Sequence, residues 1–536
     1  MSFKINSLYL TDGYKVGHQK MLAPGTTRLY GTWIPRSTKH APKGITKIVS
    51  FGQQLVWKWL HDEFQENFFF TEERSRIAGI RRVNNLLADQ YSNELKQKAL
   101  EFVEDMYLYL DMKYDGKHFE ELWDLGYLPI KVKALPEGIE TDPNIPHMTF
   151  INTVDGFAWL TLYLETVVSS LAWKPSTAAT IAKLYRRQCE EWVMKTDPAQ
   201  AFLIDYMCHD FSARGLDPMS QYLIGLGHAT SFRGSDTLPV IPASRYFYGV
   251  KEDEMPIFSV NASEHSVSTT KIFTVGEQQM IADWLQLFPK GILSIVSDTF
   301  DLWKLITEYL PANKDAIMAR DGKLVIRPDS GDPVDIICGT YIGSDYQKLE
   351  NRDKWTPQEK GVIELLWDIF GGTVNEQGFK VLDAHIGAIY GDSITPERQV
   401  QIYERLAAKG FAATNIVLGV GSFTYQYNTR DTLGFAAKGA WFEVEKEELS
   451  PNGDGTFFPH KVKTAYNIYK DPVTDDGTKK SLKGLLAIHG YPDELHVVQE
   501  CTPEGENTGL LQLIYENGEF FNQTTLTEVR ERLLKA

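Results

Sequence analysis

The sequence predicts an α/β protein with a barrel of parallel strands in its central part. From about residue 276 to residue 421, short apolar runs alternate with amphipathic segments, an order that produces parallel strands joined by helical crossovers. Four of the apolar runs end in polar residues or glycine. Because polar groups then leave several strands at one end, we favour a barrel with a functional rim over a doubly wound sheet.

The segments before the barrel have a different pattern. Two short apolar runs predict strands, a long charged segment predicts helix, and an apolar segment predicts a buried helix: Arg28–Trp33 and Leu128–Ala134, Thr71–Met112, and Gly156–Trp173. The last segment is short for a membrane span and contains Glu165, so we expect it in the core.

Four strands and four helices are predicted in the barrel. The strands are Ile292–Val296, Leu324–Arg327, His385–Tyr390 and Asn415–Leu418. The helices are Glu277–Phe288, Phe300–Leu310, Pro357–Phe370 and Pro396–Lys409, and proline at the start of the last two suits a first helical turn. The last hundred residues are rich in turn sequences and predict a β-rich segment with a terminal helix, Leu526–Lys535.

Composition narrows the class of protein. The chain has 536 residues, of which 43% are hydrophobic and 24% charged, as in globular proteins. Its net charge of -16 argues against nucleic acid or an anionic membrane as a partner. Four scattered cysteines without metal-like spacing, and a first segment without a signal-peptide pattern, predict a cytoplasmic protein.

Three aspartates follow strands of the predicted barrel: Asp298, Asp329 and Asp392. Carboxylates in this position can hold Mg²⁺, sugar hydroxyls or a histidine ring. A single aspartate after a strand is usually only a helix N-cap, so each one alone has a structural interpretation. Three on one rim, with Arg327 beside Asp329, make a functional site and the structural interpretation equally well supported.

A small-residue turn, Gly419-Val420-Gly421-Ser422, follows the last predicted strand. It can direct backbone N–H groups at a phosphate, although it is neither a complete dinucleotide fingerprint nor a P-loop, and a plain tight turn has the same sequence. Basic residues downstream either complete an anion site or are simply solvated; they are Arg430, Lys438, Lys470 and Lys479.

Two further polar strings and one histidine are candidates. His265 lies in a polar cluster, and a lone histidine is most often structural. The strings from His209 to Gly215 and from Gly234 to Thr237 are typical of turns, but they also suit a planar ligand with an amide. Phe211 would stack on its ring, and Asp236 would accept from the amide NH₂.

Taken in order, these strings resemble the nicotinamide phosphoribosyltransferase family. The similarity extends from Thr11 to Gly484 and rests on TDGYKVGHQ, HDFSARG, GSDT, ASEHS, SIVSD, IRPDSG, YGD, GVGS, TRD and YKDP. It implies a type II phosphoribosyltransferase fold, with an irregular α/β barrel and a second mixed β-rich and helical domain built from both chain ends. We therefore divide the chain at 1–175, 176–431 and 432–536, with the first and last parts packed together.

The resemblance also implies the reaction and the assembly. Nicotinamide and 5-phosphoribosyl 1-pyrophosphate would give nicotinamide mononucleotide and pyrophosphate, with Mg²⁺ held mainly by substrate phosphates, in the salvage route to NAD. ATP would be a co-substrate that phosphorylates a histidine. The enzyme would be a head-to-tail homodimer with its active sites at the interface.

Residue roles follow from the same resemblance. Phe211 and Tyr14, the latter from the partner subunit, would sandwich the pyridine ring. Arg327 would contact the ring and its amide, and Asp236 would bind the amide nitrogen. Ser294 and Ile389 would also belong to the substrate pocket.

The sugar and phosphate groups would meet a second set of residues. Asp329 would bind the ribose hydroxyls, and His265 would be the phosphorylated histidine with Asp298 hydrogen-bonded to its ring. The remaining assignments concern the ribosyl phosphate (Gly391 and Asp392), the 5′-phosphate (Gly421 and Ser422) and basic positions around the phosphates (Arg214, Arg430, Lys438, Lys470 and Lys479).

Two departures from the family and three alternatives remain at this point. The glycine run at Gly421-Ser422-Phe423 is short, and the loops predicted at 339–355 and 448–458 have no assigned role.

Nicotinate phosphoribosyltransferase is the first alternative function. It shares the chemistry, but Asp236 would repel a carboxylate. A non-catalytic nucleotide-binding protein is the second alternative. The third is a barrel glycosidase, which Arg327 disfavours because a cation opposes a raised carboxyl pKa.

Overall fold

The computed structural model describes residues 5–340, 354–391, 393–452, 456–470, 473–474, 481–490 and 494–535. Two seven-stranded sheets, one parallel and one antiparallel, organise this part of the chain. Within it, no helix is long and apolar enough to cross a membrane.

The parallel sheet forms the barrel. Its strands, in spatial order, are Gly234–Ser235, Cys208–Phe211, Ile416–Gly421, Ile386–Tyr390, Leu324–Arg327, Leu293–Val296 and Asn261–Ala262. The segment 258–262 joins the two edges of this sheet. Phe258 bridges to Gly234 in the first strand of the order, and Asn261, in the last strand, pairs with Leu293. The sheet therefore curls into an irregular barrel, which confirms the predicted fold class.

Helices surround this sheet. They are Glu165–Thr196, Pro218–Ala229, Val240–Tyr248, His265–Val275, Glu277–Leu287, Leu302–Lys304, Leu310–Ala312, Lys314–Met318, Pro333–Cys338, Pro357–Lys360, Val362–Phe370 and Pro396–Ala408. Two predicted helices are interrupted. Leu305–Tyr309 is π-helical, and Gly361, at a φ of 80°, divides the helix predicted from Pro357 to Phe370. A left-handed glycine cannot continue an α-helix.

The antiparallel sheet combines strands from before and after the barrel. Its spatial order is Phe457–Asn467, Ala436–Pro451, Thr26–Ile34, Met148–Asn152, Ile130–Ala134, Gln512–Glu516 and Glu519–Phe520. The loop predicted at 448–458 is wrong at both ends, since Glu448 pairs with His460 and Pro451 with Phe457. Most of the other predicted loop, residues 341–353, lies outside the described residues.

The helices before the barrel differ from the prediction in their ends. They are Gln53–Asn67, Thr71–Arg81, Asn85–Tyr109, Lys117–Leu125 and Ala158–Tyr163, with the terminal helix Leu526–Lys535 beside them. The predicted helix at 71–112 breaks because Asn84 caps a second helix. The apolar segment breaks at Leu164 and continues as the long buried helix Glu165–Thr196.

Short elements complete the chain. Three two-stranded sheets pair Ile48–Val49 with Glu140–Thr141, Gly372–Val374 with Lys380–Leu382, and Leu485–His489 with His496–Cys501. Short helical segments occupy Ser7–Tyr9, Gly13–Gly17, His18–Met21, Pro198–Tyr206, Ser212–Gly215, Ala413–Asn415, Ser422–Gln426 and Pro503–Glu506. One continuous apolar core joins both sheets, and Trp33 of the antiparallel sheet stacks on Phe435 at 5.1 Å between ring centroids.

Candidate active site

The carboxyl ends of the barrel strands form one rim, and most of the predicted site residues lie on it. Phe211, Arg327 and Gly421 are the last residues of their strands. Asp298, Asp329, Gly391 and Ser422 follow one or two residues after a strand end. Because these strands are parallel, their ends meet at the same side of the barrel.

His265 and Asp298 form a hydrogen-bonded pair on this rim. His265 is the first residue of its helix, and its Nε2 lies 3.1 Å from Asp298 Oδ1. The Asp298 side chain is 6% exposed, whereas that of His265 is 48% exposed. The second oxygen, Asp298 Oδ2, accepts from the Asp329 backbone N–H at 2.9 Å and from Ser330 Oγ at 2.5 Å. One carboxylate therefore holds the histidine and fixes the Asp329 turn.

The same contacts keep Asp298 ionised. Burial raises the pKa of its carboxyl, but hydrogen bonds from Ser330, the Asp329 N–H and His265 outweigh burial, and the pKa lies below its ordinary value. An ionised Asp298 accepts from the His265 Nε2–H, which leaves Nδ1 with the ring's lone pair.

Arg327 and Asp329 each present a buried polar atom that lacks a hydrogen bond from the described residues. The Arg327 guanidinium carbon lies 5.0 Å from the centroid of the Phe211 ring, and Arg327 Nη2 is 3.6 Å from Asp329 Oδ1. Arg327 Nε and Asp329 Oδ1 are buried, and neither forms a hydrogen bond with any described residue. Buried polar atoms without partners are costly, so both are suited to a ligand.

Two glycines allow this part of the rim to close up. A Cβ at Gly391 would clash with Asp329 Oδ1 and lie 2.8 Å from Arg327 Nε. A Cβ at Gly215 would clash with Ser422, the first residue of a short helix after the Gly421 strand end. The glycines therefore permit contacts between neighbouring loops that any larger residue would prevent.

The His209 ring links Asp236 to Phe211, because it contacts both side chains. Asp236 Oδ1 is 3.2 Å from His209 Nε2 and also accepts from Ser259 Oγ, while the His209 and Phe211 rings are 4.6 Å apart. Burial raises the pKa of the Asp236 carboxyl, but His209, Ser259 and the charge of Arg327 outweigh burial and lower the pKa. Asp236 is therefore ionised at neutral pH.

Sequence reasoning missed His209, Ser259 and Asp210. Asp210 is fully buried and accepts from the Ser212 N–H at 2.9 Å and from Thr237 Oγ1 at 2.7 Å. It thus joins the two polar strings that the sequence analysis considered separately. An aspartate inside a buried strand is a signal for such a network, whereas no local pattern points to Ser259.

Ser294 and Ile389 lie within strands, below the rim. Both are buried, and Ser294 Oγ has no hydrogen-bond partner among the described residues. The Leu324–Arg327 strand separates their strands, with Val325 paired to Ser294 on one side and to Gly387 on the other.

The basic residues occupy two places. Arg214 is exposed and lies 3.4 Å from Glu264, the neighbour of His265. Lys438 is on the antiparallel sheet, where its ammonium is 3.9 Å from Glu165. Burial lowers the pKa of Lys438, Glu165 opposes this effect, and nearby Arg36, Arg430 and Lys15 add to it. A local excess of positive charge therefore surrounds Lys438 and Arg430.

Several predicted site residues do not meet the rim of their own chain. Among the described residues, no hydrogen bond, ion pair or ring contact joins Tyr14, Arg430, Lys438 or Lys470 to the His265, Arg327 and Asp329 region. Asp392 and Lys479 lie outside the described residues. The described part of the chain also contains no group of three or more histidine, cysteine or carboxylate side chains arranged for a metal ion.

Comparisons with known proteins identify the family of this chain. Residues 206–519 match the model of the nicotinate phosphoribosyltransferase (NAPRTase) family. A nicotinamide phosphoribosyltransferase of Acinetobacter baylyi is 38% identical over 99% of this chain and 98% of its own length. The chain belongs to the nicotinate phosphoribosyltransferase family. The family relationship that the motifs predicted is thereby confirmed.

Other relatives support the same placement within the phosphoribosyltransferases. The nicotinamide phosphoribosyltransferase of Mycoplasma pneumoniae is 30% identical over 91% of this chain and 98% of its own length. The crystal structure of nicotinate-nucleotide pyrophosphorylase from Pyrococcus furiosus has a TM-score of 0.52 at 14% identity, covering 100% of this chain and 96% of that one. At this identity the structural similarity shows a shared fold and nothing more.

Proposed function

We propose that this NAPRTase-family enzyme transfers a phosphoribosyl group to nicotinamide, forming nicotinamide mononucleotide and pyrophosphate in NAD salvage. The observation that carries the proposal is the ionised Asp236 carboxylate. It is linked to Phe211 by the His209 ring, and the positive charge of Arg327 helps to lower its pKa. An ionised carboxylate accepts a hydrogen bond from an amide NH₂. The names of the relatives from Acinetobacter baylyi and Mycoplasma pneumoniae support the same base.

Nicotinate is the competing base. The family description names it, and its ring would fit wherever that of nicotinamide fits. Its carboxylate would face Asp236, and two like charges in a partly buried pocket repel each other. Identification of the mononucleotide that purified protein forms from each base tests this choice.

The transfer needs positioning more than proton transfer. The pyridine nitrogen attacks C1 of the ribose with its own lone pair, the C1–O bond to pyrophosphate breaks, and no proton has to be removed. Phe211 would stack on the ring, and Arg327 would contact the ring and amide from its place 5.0 Å above Phe211. Asp329, whose Oδ1 has no hydrogen bond from the described residues, would bind the ribose hydroxyls. Gly421 and Ser422 would hold the 5′-phosphate through backbone N–H groups.

Mg²⁺ is the expected metal ion, held mainly by substrate phosphates. The Asp329 carboxylate, one of whose oxygens lacks a hydrogen bond from the described residues, could add an oxygen ligand to an ion that arrives with the substrate phosphates. When bound, the ion would neutralise charge on the departing pyrophosphate. The basic residues around Lys438 and Arg430 would share that task.

We also propose that ATP phosphorylates His265. Because Asp298 holds Nε2, the lone pair of Nδ1 would attack the γ-phosphorus of ATP, forming an N–P bond and releasing ADP. Water would later cleave that bond and release phosphate. The half-exposed ring of His265 is accessible for this step.

Replacement of His265 by alanine should separate ATP coupling from the transfer itself. In His265→Ala we expect basal mononucleotide formation to persist. The rate with ATP should equal the rate without ATP, because the phosphoryl acceptor is gone. Initial rates with and without ATP, together with ³²P labelling from γ-labelled ATP, measure both effects. Labelling of the variant at the wild-type level would contradict the role of His265.

A second copy of the chain is the proposed partner that completes the site. Tyr14 is 63% exposed, and the side chain of Tyr109 is exposed as well. Tyr109 lies against Gly13, where a Cβ would clash with its ring. An apolar patch of this kind suits burial in a head-to-tail homodimer, which would bring Tyr14 to the Phe211 of the other copy. The buried cysteine thiols suit the reducing cytoplasm.

Complementation tests the shared site. We expect Tyr14→Ala and Asp329→Ala to be weakly active alone. After the two are mixed, dissociated and reassociated, half of the dimers should be mixed, and one of their two sites is intact. About one quarter of the wild-type activity should therefore return. No recovery, with mixed dimers demonstrated by mass spectrometry, would contradict a site built from both subunits.

A further inference from the structure

Both hydrogen bonds to the Asp236 side chain reach the same oxygen. His209 Nε2 lies 3.2 Å from Oδ1, and Ser259 Oγ donates to Oδ1 as well. No described residue donates to Oδ2, although the side chain is only 42% exposed. One carboxylate oxygen is therefore occupied by the protein, and the other remains able to accept from a ligand.

The backbone fixes His209 in this position. His209 is on the Cys208–Phe211 strand and pairs with Gly234, two residues before Asp236. A Cβ at Gly234 would lie 3.0 Å from His209 Nδ1, so glycine provides the room in which the ring lies against the sheet. The Asp236 N–H also donates to the Asp210 carbonyl at 3.0 Å. Donor and acceptor are thus attached to two paired strands of the barrel.

Ser259 approaches Asp236 from a different direction. It follows Phe258, whose N–H and carbonyl pair with Arg233 and Ser235, in the segment that connects the two edges of the barrel sheet. The side chain of Ser259 is exposed, so its hydroxyl has water as an alternative partner. Its hydrogen bond to Oδ1 therefore helps to orient the carboxylate but contributes little to the free energy of unfolding.

We propose that His209 and Ser259 are positioning residues that set base specificity by holding Asp236 Oδ1 and leaving Oδ2 for the amide NH₂ of nicotinamide. This inference rests on the proposed function. The terminal torsion of an aspartate is broad and roughly twofold, so a carboxylate without these donors samples many orientations. Fixing its plane reduces the entropy lost when the base binds.

Donation to Oδ1 requires a proton on His209 Nε2. A leucine at this position fills similar space without a donor, whereas glutamine retains an N–H at the end of its side chain. Loss of one hydrogen bond to a charged group corresponds to about a tenfold change in affinity. The effect should fall on the base and not on phosphoribosyl pyrophosphate, because the rim contacts of the His209 side chain among the described residues are with Asp236 and Phe211.

The experiment compares wild type, His209→Leu, His209→Gln and Ser259→Ala in steady-state assays with nicotinamide and with nicotinate. We expect His209→Leu to raise KM for nicotinamide about tenfold and to lower the nicotinamide-to-nicotinate ratio of kcat/KM by a similar factor. His209→Gln should recover most of this loss, and Ser259→Ala should change the ratio about threefold in the same direction. KM for phosphoribosyl pyrophosphate should not change.

Two results would overturn the proposal. The first is an unchanged nicotinamide-to-nicotinate ratio of kcat/KM in His209→Leu. The second is a loss of this ratio in His209→Gln equal to that in His209→Leu, accompanied by a lower Tm, which would indicate a merely structural histidine. Ser259→Ala keeps the test valid if His209→Leu fails to fold, because Ser259 is exposed; no change in its ratio would then overturn the proposal. Failure of the proposed function is separate, since wild type would then not use nicotinamide at all.

Discussion

Asp329→Ala should lower kcat/KM for mononucleotide formation by about a hundredfold to a thousandfold, the largest loss expected from a single replacement on the rim. The Asp329 carboxylate lies beside Arg327, its buried Oδ1 has no hydrogen bond from the described residues, and its backbone N–H is fixed by Asp298. We assign to it the ribose hydroxyls, whose contacts strengthen as positive charge develops at C1. Initial rates over a range of phosphoribosyl pyrophosphate concentrations measure the loss.

Asp321 provides the matched control. It precedes the Leu324–Arg327 strand, so it lies at the opposite end of the barrel from Asp329, and its exposed side chain is 3.8 Å from Lys290. Asp321→Ala should retain kcat/KM within about twofold of wild type because surface ion pairs contribute little. A rate in Asp329→Ala equal to that of the control would contradict the assigned role.

Asp236→Ser should reverse the base preference. Removal of the carboxylate takes away the acceptor for the amide NH₂ and the charge that repels nicotinate. The two effects act in the same direction on the ratio of kcat/KM values. We expect this ratio to move toward nicotinate by about a hundredfold or more. Parallel assays with each base, with the mononucleotides separated by chromatography, measure the change.

Asp236→Asn distinguishes charge from shape in the same assay. Asparagine keeps the size of the side chain and an oxygen acceptor but loses the negative charge. It should accept nicotinate better than wild type does, while retaining more activity with nicotinamide than Asp236→Ser. Equal base preference in wild type and both variants would show that Asp236 does not select the base.

The rim could be predicted from the sequence because its signal is local. An apolar run that ends in Arg327-Pro328-Asp329 or in Ser297-Asp298 defines a strand and its functional end within eight residues. Helix interruptions were less visible. The prediction treated Pro357–Phe370 as one helix, and only the left-handed φ of Gly361 shows why the chain breaks there.

The contacts that orient Asp236 could not be predicted in this way. His209 and Ser259 are separated from Asp236 by 27 and 23 positions. His209 meets Asp236 because its strand pairs with the Gly234–Ser235 strand, and Ser259 does so because the sheet closes through Phe258. Exposed Tyr14 and the basic group around Lys438 are a different case. Their sequence motifs are visible, but within one chain they make no direct contact with the described residues of the rim, so their assigned roles depend on the proposed second copy.

The central claim is that this rim transfers phosphoribosyl to nicotinamide in preference to nicotinate. The most direct measurement supplies purified protein with both bases at equal concentration, limiting phosphoribosyl pyrophosphate and Mg²⁺, and determines the ratio of the two mononucleotides by mass spectrometry. A large excess of nicotinamide mononucleotide is the predicted result. An excess of nicotinate mononucleotide, or no mononucleotide at all, would contradict the account.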